Sequence, residues 1–144
     1  MHVGRTGSKV KVVFACVHNA GRSQMAAAFY NSLTNSDHGV SGGTHPGQQV
    51  HPEVVTVMKE IGIDMSSSIP KLLTNALVLD ADKLITMGCG EACPYLPGPS
   101  REDWPLNDPK GRPLDEVRAI RDEIKRRVEA LIFIGIAETR GSIG

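Results

Sequence analysis

The sequence predicts an α/β fold with a parallel sheet. Three observations carry this. Short β-branched runs alternate with helical patterns, the first such run passes through a polar loop straight into a helix, and a long amphipathic helix ends the pattern. At 144 residues the chain is sized for one domain with a core of its own. That domain is expected over residues 9–137, between flexible tails at 1–8 and 138–144.

Lys9 to Val17 (KVKVVFACV) is β-branched and apolar and runs into a polar turn, the pattern of a buried strand. From Arg22 the spacing becomes helical: Met25, Phe29 and Leu33 recur every four residues, with alanines between them. Gly39 to Thr44 reads as a second strand. His51-Pro52-Glu53 then opens a helix whose Val54, Val55, Met58 and Ile61 form a stripe closed by Gly62. A third helix is expected after Pro70, and Lys83 to Met87 (KLITM) is a further short strand. Cys89 to Pro113 is Pro-rich and poorly patterned, the kind of stretch in which functional loops sit. Val117, Ile120, Ile124, Val128 and Leu131 step by three or four along the final helix. In parallel sheets ligands bind beyond the carboxyl ends of the strands. The segments after Val17 and after Met87 both emerge there.

Sixteen basic and sixteen acidic side chains cancel, so no long-range field gathers nucleic acid or an acidic membrane surface. The first ten residues hold no apolar signal core and no run is long enough to span a bilayer, so a cytoplasmic protein is expected. Three cysteines, an odd count in such a chain, argue for reduced, reactive or metal-bound thiols rather than a disulfide framework.

The informative segment is Cys16-Val17-His18-Asn19-Ala20-Gly21-Arg22-Ser23, between the first strand and the first helix. A loop of this kind turns its backbone N–H groups inward. The helix behind it adds the positive end of its dipole, so a tetrahedral oxyanion meets ready donors. Arg22 would close the ring with a planar fork. Cysteines in such electropositive settings are held as thiolates, which makes Cys16 the candidate nucleophile. Ser23 can donate to its sulfur, and Asn19 tolerates the positive φ of a tight loop, a constraint that His18 and Gly21 also fit. An isolated C-x5-R would read equally well as a buried small hydrophobe and a surface cation. The strand-loop-helix context, the Asn and the Ser favour the anion loop. There is no nucleotide-binding G-x-x-x-x-G-K-[ST].

With CVHNAGRSQMA in that loop and EDWPLNDPKGRPLDEVRAIRDEIKRRVEAL downstream, the chain resembles arsenate reductases built on the low-molecular-weight tyrosine phosphatase fold. The resemblance implies a three-layer α/β architecture, a four-stranded parallel sheet flanked by helices, and reduction of arsenate to arsenite. Gln24 stands where phosphatases of this fold usually carry Pro. Asp108 matches the family's general acid, on a loop folding over the anion site, though Asn107-Asp108-Pro109 is also adequate as a plain turn. Trp104 and Tyr95 are expected to pack under that loop. His18 replaces the usual Gly after Cys-x, and Gly21 replaces a Cys common before the Arg. Thioredoxin-coupled members often hold a potassium ion near the loop. Asn19, Ser41 and Asp64 match parts of that site but its acidic position is Ala27, so no bound cofactor is expected and potassium is the one ion the resemblance leaves open.

Arsenate reduction needs two electrons, and the resemblance assigns them to thiols. Cys89 attacks the Cys16 adduct, arsenite leaves, and Cys93 takes over to give a Cys89–Cys93 disulfide that thioredoxin or a similar dithiol protein reduces. Two bland readings compete for the pair: core thiols, or half a zinc site completed by His45 and His51. The rival activities are a phosphatase using Cys16, Arg22 and Asp108 alone, and a transferase in which a small thiol attacks the adduct. The chain is expected to act as a monomer.

Overall fold

In the computed structural model, residues 10–88 and 100–143 are described, with side chains as far as 134. Four strands, β1 (Val12–Cys16), β2 (Gly39–Gly43), β3 (Lys83–Thr86) and β4 (Ser100–Asp103), form a parallel sheet in the order β2-β1-β3-β4. Four helices flank it: α1 (Arg22–Thr34), α2 (Pro52–Lys59), α3 (Asn75–Leu79) and α4 (Leu114–Ile143). The expected class, a four-stranded parallel sheet between helical layers, is the one observed. The tail at 1–8 and the residues Cys89, Cys93 and Tyr95 lie outside the described residues. α4 continues to Ile143, into the stretch read from sequence as a tail.

β1 is buried along its whole length because it is central and both its faces are covered. Val12, Phe14 and Cys16 point into the larger core with Met25, Phe29 and Tyr30 of α1, Val54, Val57 and Met58 of α2, and Val117, Ile120, Ile124 and Val128 of α4. Val13 and Ala15 point the other way, to Leu73, Val78, Ala81 and Leu84. The strand is shorter than the run Lys9 to Val17. Val17 has left the ladder, and its carbonyl accepts from His45 N–H at 2.8 Å.

Three further sequence readings change in detail. The buried stripe of α2 is Val54, Val57 and Met58, whereas Ile61 lies past the helix end and is exposed. On α1, Leu33 is exposed and Tyr30 takes the core position. β4 falls inside the stretch that reads as unpatterned. All four of its residues, Ser-Arg-Glu-Asp, are exposed, as suits an edge strand blunted by charge. The third helix begins at Asn75, where the Thr74 side chain caps it by accepting from Leu77 N–H at 3.1 Å.

The register fixes what meets at the carboxyl edge. Cys16 lies opposite Gly43, Ala15 opposite Thr86, and Thr86 opposite Asp103. The loops after β1, β2, β3 and β4 therefore emerge side by side.

Candidate active site

The loop from Cys16 to Arg22 is held from outside by its carbonyls. Cys16, Val17, His18 and Ala20 accept from the backbone N–H groups of Thr44, His45, Gly47 and His51, at 3.3, 2.8, 2.9 and 2.9 Å. With the carbonyls fastened to the 44–51 segment, the N–H groups are left to the other side. Among the described residues none of those at His18, Asn19, Ala20 and Gly21 is in a hydrogen bond. α1 starts at Arg22 with no side-chain cap, which leaves its first N–H groups open at the positive end of the helix dipole. A tetrahedral oxyanion fits this arrangement of donors.

Asn19 sits at φ +50°, the left-handed conformation expected of it. Gly21 does not share that constraint: its φ is −149°. A glycine is needed there because a Cβ would come within 2.8 Å of Pro109 Cγ, so the Asp108 loop could not pack against the anion loop.

The directions of the buried hydrogen bonds follow from one group that has no choice. The backbone N–H of Lys71 can only donate, and it points at Asn19 Oδ1 at 2.9 Å, where Gln24 Nε2 also donates at 3.0 Å. Asn19 Nδ2 therefore faces Ser23 Oγ and donates to it at 2.7 Å. With its oxygen so engaged, Ser23 has its proton free for the Cys16 sulfur 2.9 Å away. Cys16, Asn19 and Ser23 are essentially fully buried. Gln24 is further anchored by donating to Ile69 O at 3.1 Å. The result is a chain of hydrogen bonds, Gln24 to Asn19 to Ser23 to Cys16, that ends on the sulfur.

Arg22 reaches the other way. Its Nη1 donates to Leu106 O at 3.1 Å, and its Nη2 lies 3.9 Å from Asp108 Oδ2. It also packs against Gly88, where a Cβ would lie 2.4 Å from Nη1. Gly88, at φ +97°, is bonded to Cys89. Asp108 is organised by its own turn: Oδ1 accepts Lys110 N–H at 3.0 Å, and its carbonyl accepts Arg112 Nε–H at 2.6 Å. Trp104, at the head of this loop, is buried against Phe14 and donates to Glu102.

Two histidines edge the mouth. His18 Nδ1 lies 3.0 Å from His45 O, which can only accept, so this nitrogen carries a proton. Burial holds the His51 imidazole below its ordinary 6.5, against the upward pull of Glu53 and Asp108. Of the residues that sequence reading singled out, Cys16 meets Ser23 at 2.9 Å and Arg22 lies 3.9 Å from Asp108. That reading did not find the anchoring parts of Gln24 and the Lys71 backbone, because a contact spanning 45 or 52 residues leaves no periodic trace.

Residues 11–140 match the low molecular weight phosphotyrosine protein phosphatase family. A putative arsenate reductase of Halobacterium salinarum is 41% identical over 127 residues, covering 84% of this chain and 89% of its own. The glutaredoxin arsenate reductase of Synechocystis is 37% identical over 125 residues, covering 85% and 95% respectively. Among solved structures, the thioredoxin-dependent arsenate reductase of Corynebacterium glutamicum superposes with a TM-score of 0.77 at 34% identity, over 96% of this chain and 70% of that one. A buried Cys-to-Arg anion loop at the carboxyl edge of this sheet, together with these matches, makes the chain a member of the low molecular weight phosphotyrosine protein phosphatase family, alongside its arsenate reductases.

Proposed function

We propose that the protein reduces arsenate to arsenite, with Cys16 as nucleophile and thioredoxin or a similar dithiol protein as the final reductant. The observation that carries the proposal is the setting of Cys16. Its sulfur is met by the Ser23 hydroxyl, while Arg22 packs against Gly88, the residue bonded to the second thiol, Cys89.

Arsenate binds through the loop N–H groups from Val17 to Ser23 and the Arg22 guanidinium. The Cys16 thiolate attacks As(V), an As–O bond breaks, and Asp108 protonates the departing oxygen so that it leaves as water. Cys89 then attacks the Cys16 sulfur. The S–As electron pair passes to arsenic, which leaves as As(III), and a Cys16–Cys89 disulfide remains. Attack of Cys93 on Cys89 frees Cys16 as thiolate, and the external dithiol reduces Cys89–Cys93. The two electrons arsenic gains are the two lost when a pair of thiols becomes one disulfide.

No step needs a metal, and Asn19, Ala27 and Asp64 do not offer potassium a ready oxygen. Both lone pairs of Asn19 Oδ1 are taken by N–H donors, and Ala27 offers no oxygen. Asp64 is exposed, with its Oδ1 turned to the Ser66 N–H and hydroxyl, bonds that hold its carboxyl below the usual range. We take the protein to act as a cytoplasmic monomer. Its anion loop and acid loop come from one chain, and no described helix is long and apolar enough to cross a membrane. Trp104 turns into the core rather than toward the mouth, so it offers no ring to clasp a phosphotyrosine.

The test is arsenite release by pure protein given arsenate and either thioredoxin or a small thiol, beside hydrolysis of a chromogenic phosphate ester. Thioredoxin-supported release that Cys16→Ser abolishes is expected. Ester hydrolysis without arsenite release would favour the phosphatase reading, and release with small thiols alone the transferase.

A further inference from the structure

We infer that Glu53, in the first turn of α2, is a positioning residue for the general acid: it latches the Asp108 turn to the element that also fastens the anion loop. This rests on Asp108 being the acid.

Glu53 Oε2 accepts the backbone N–H of Gly111 at 2.8 Å, across 58 residues of sequence. Gly111, at φ +70°, belongs to the same tight turn as Asp108. Within that turn Lys110 N–H and Arg112 Nε–H both donate to Asp108, and Arg112 N–H donates to Pro109 O at 3.2 Å. The turn is therefore one stiff unit. To pull on Gly111 is to move the carboxyl.

The other end of the latch is the anion loop. His51, immediately before α2, donates its backbone N–H to Ala20 O at 2.9 Å. Its ring edge lies 3.4 Å from where a Cβ on Gly21 would sit, and Pro109 closes on the same spot. The start of α2 thus holds both loops at once, one by the His51 N–H and the other by the Glu53 carboxylate. A carboxylate in a first helical turn is ordinarily explained by the helix dipole alone. Here it spends a lone pair on a loop N–H, and a net gain of that size is small for stability but large for a proton transfer that depends on alignment.

The experiment is a double-mutant cycle on the single-turnover rate of Cys16 adduct formation, with inorganic phosphate binding measured on every variant. Glu53→Ala should slow adduct formation by roughly 3- to 10-fold, the worth of one net hydrogen bond. Glu53→Gln, whose amide oxygen still accepts, should recover most of that rate. Phosphate affinity should hold, because the anion loop keeps its own carbonyl anchors. In the Asp108→Asn background Glu53→Ala should cost nothing further, since no aligned acid is left to lose. Independent, multiplicative losses would overturn the latch, as would an unchanged rate in Glu53→Ala beside a slow Asp108→Asn. An unchanged rate in Asp108→Asn would overturn the acid assignment itself, and the latch with it.

Discussion

At Cys16 the sulfur is met by the Ser23 hydroxyl. Ser23 Oγ lies 2.9 Å from the sulfur, and because its oxygen already accepts from Asn19 Nδ2 its proton is free to be donated there. A hydrogen bond to a charged acceptor is worth about 1.5 to 3 kcal/mol, and this one is lost if Ser23 becomes Ala. Ser23→Ala should therefore slow alkylation of Cys16 at neutral pH by about an order of magnitude or more, and should also lower the melting temperature, because the buried Asn19 Nδ2 loses its acceptor. Measuring the second-order rate with iodoacetamide decides it, and an unchanged rate would mean that the chain of hydrogen bonds does not act on the sulfur. The residues around this sulfur were unequally legible in the sequence. Cys16, Asn19, Arg22 and Ser23 lie within one loop and helix turn, so spacing and residue type expose them. The donors that set their orientation are not local: Lys71 acts through its backbone, which any residue there would supply. Gly21 could be read only as conformational freedom, since the contact that demands it comes from Pro109, far along the chain.

Between elements, α2 and α4 are joined by a charge cluster whose partners sit on different helices. Glu60 accepts from Arg118 at 2.8 Å and from Arg121 at 2.9 Å, and Arg121, largely buried, also donates to Val57 O at the end of α2. The bonds from Arg118, followed by those from Arg121, hold the Glu60 carboxyl below its ordinary 4.5. A carboxyl depressed in the folded state adds stability that is present above its unfolded value and fades as pH falls through the folded one. Glu60→Gln should therefore lower the melting temperature at neutral pH modestly, and the gap to wild type should close below pH 4.5. A constant gap across a pH series of thermal melts would assign the loss to packing. The same view explains which elements the sequence hid. α1, α4 and β1 bury regular stripes against the sheet and show their period, whereas β4 buries nothing and exists because β3 supplies a ladder. Thr86 Oγ1 donates to Asp103 at 2.6 Å and pins the last pair of that ladder, a contact no pattern within Ser100–Asp103 announces.

Across the whole molecule, the parallel topology brings each strand end to one site. β1 ends in Cys16, β2 in the segment whose N–H groups fasten the anion loop, β3 in Gly88 against Arg22, and β4 in the loop that carries Asp108. Cys89 and Cys93 lie outside the described residues, but Cys89 is covalently joined to a glycine that touches the arginine of the anion loop. If each thiol has its own step, each variant should stop at a different covalent species. Cys89→Ser should bind arsenate and release almost no arsenite when no external thiol is present. Cys93→Ser should release about one arsenite per chain and then accumulate a Cys16–Cys89 disulfide, because its attack follows the chemistry at arsenic. Wild type should end at Cys89–Cys93. Single-turnover reactions quenched with an alkylating agent and mapped by mass spectrometry read out which pair is protected. Should both variants turn over like wild type with a small thiol, the internal relay is wrong, and the site is an oxyanion pocket whose second thiol comes from solution.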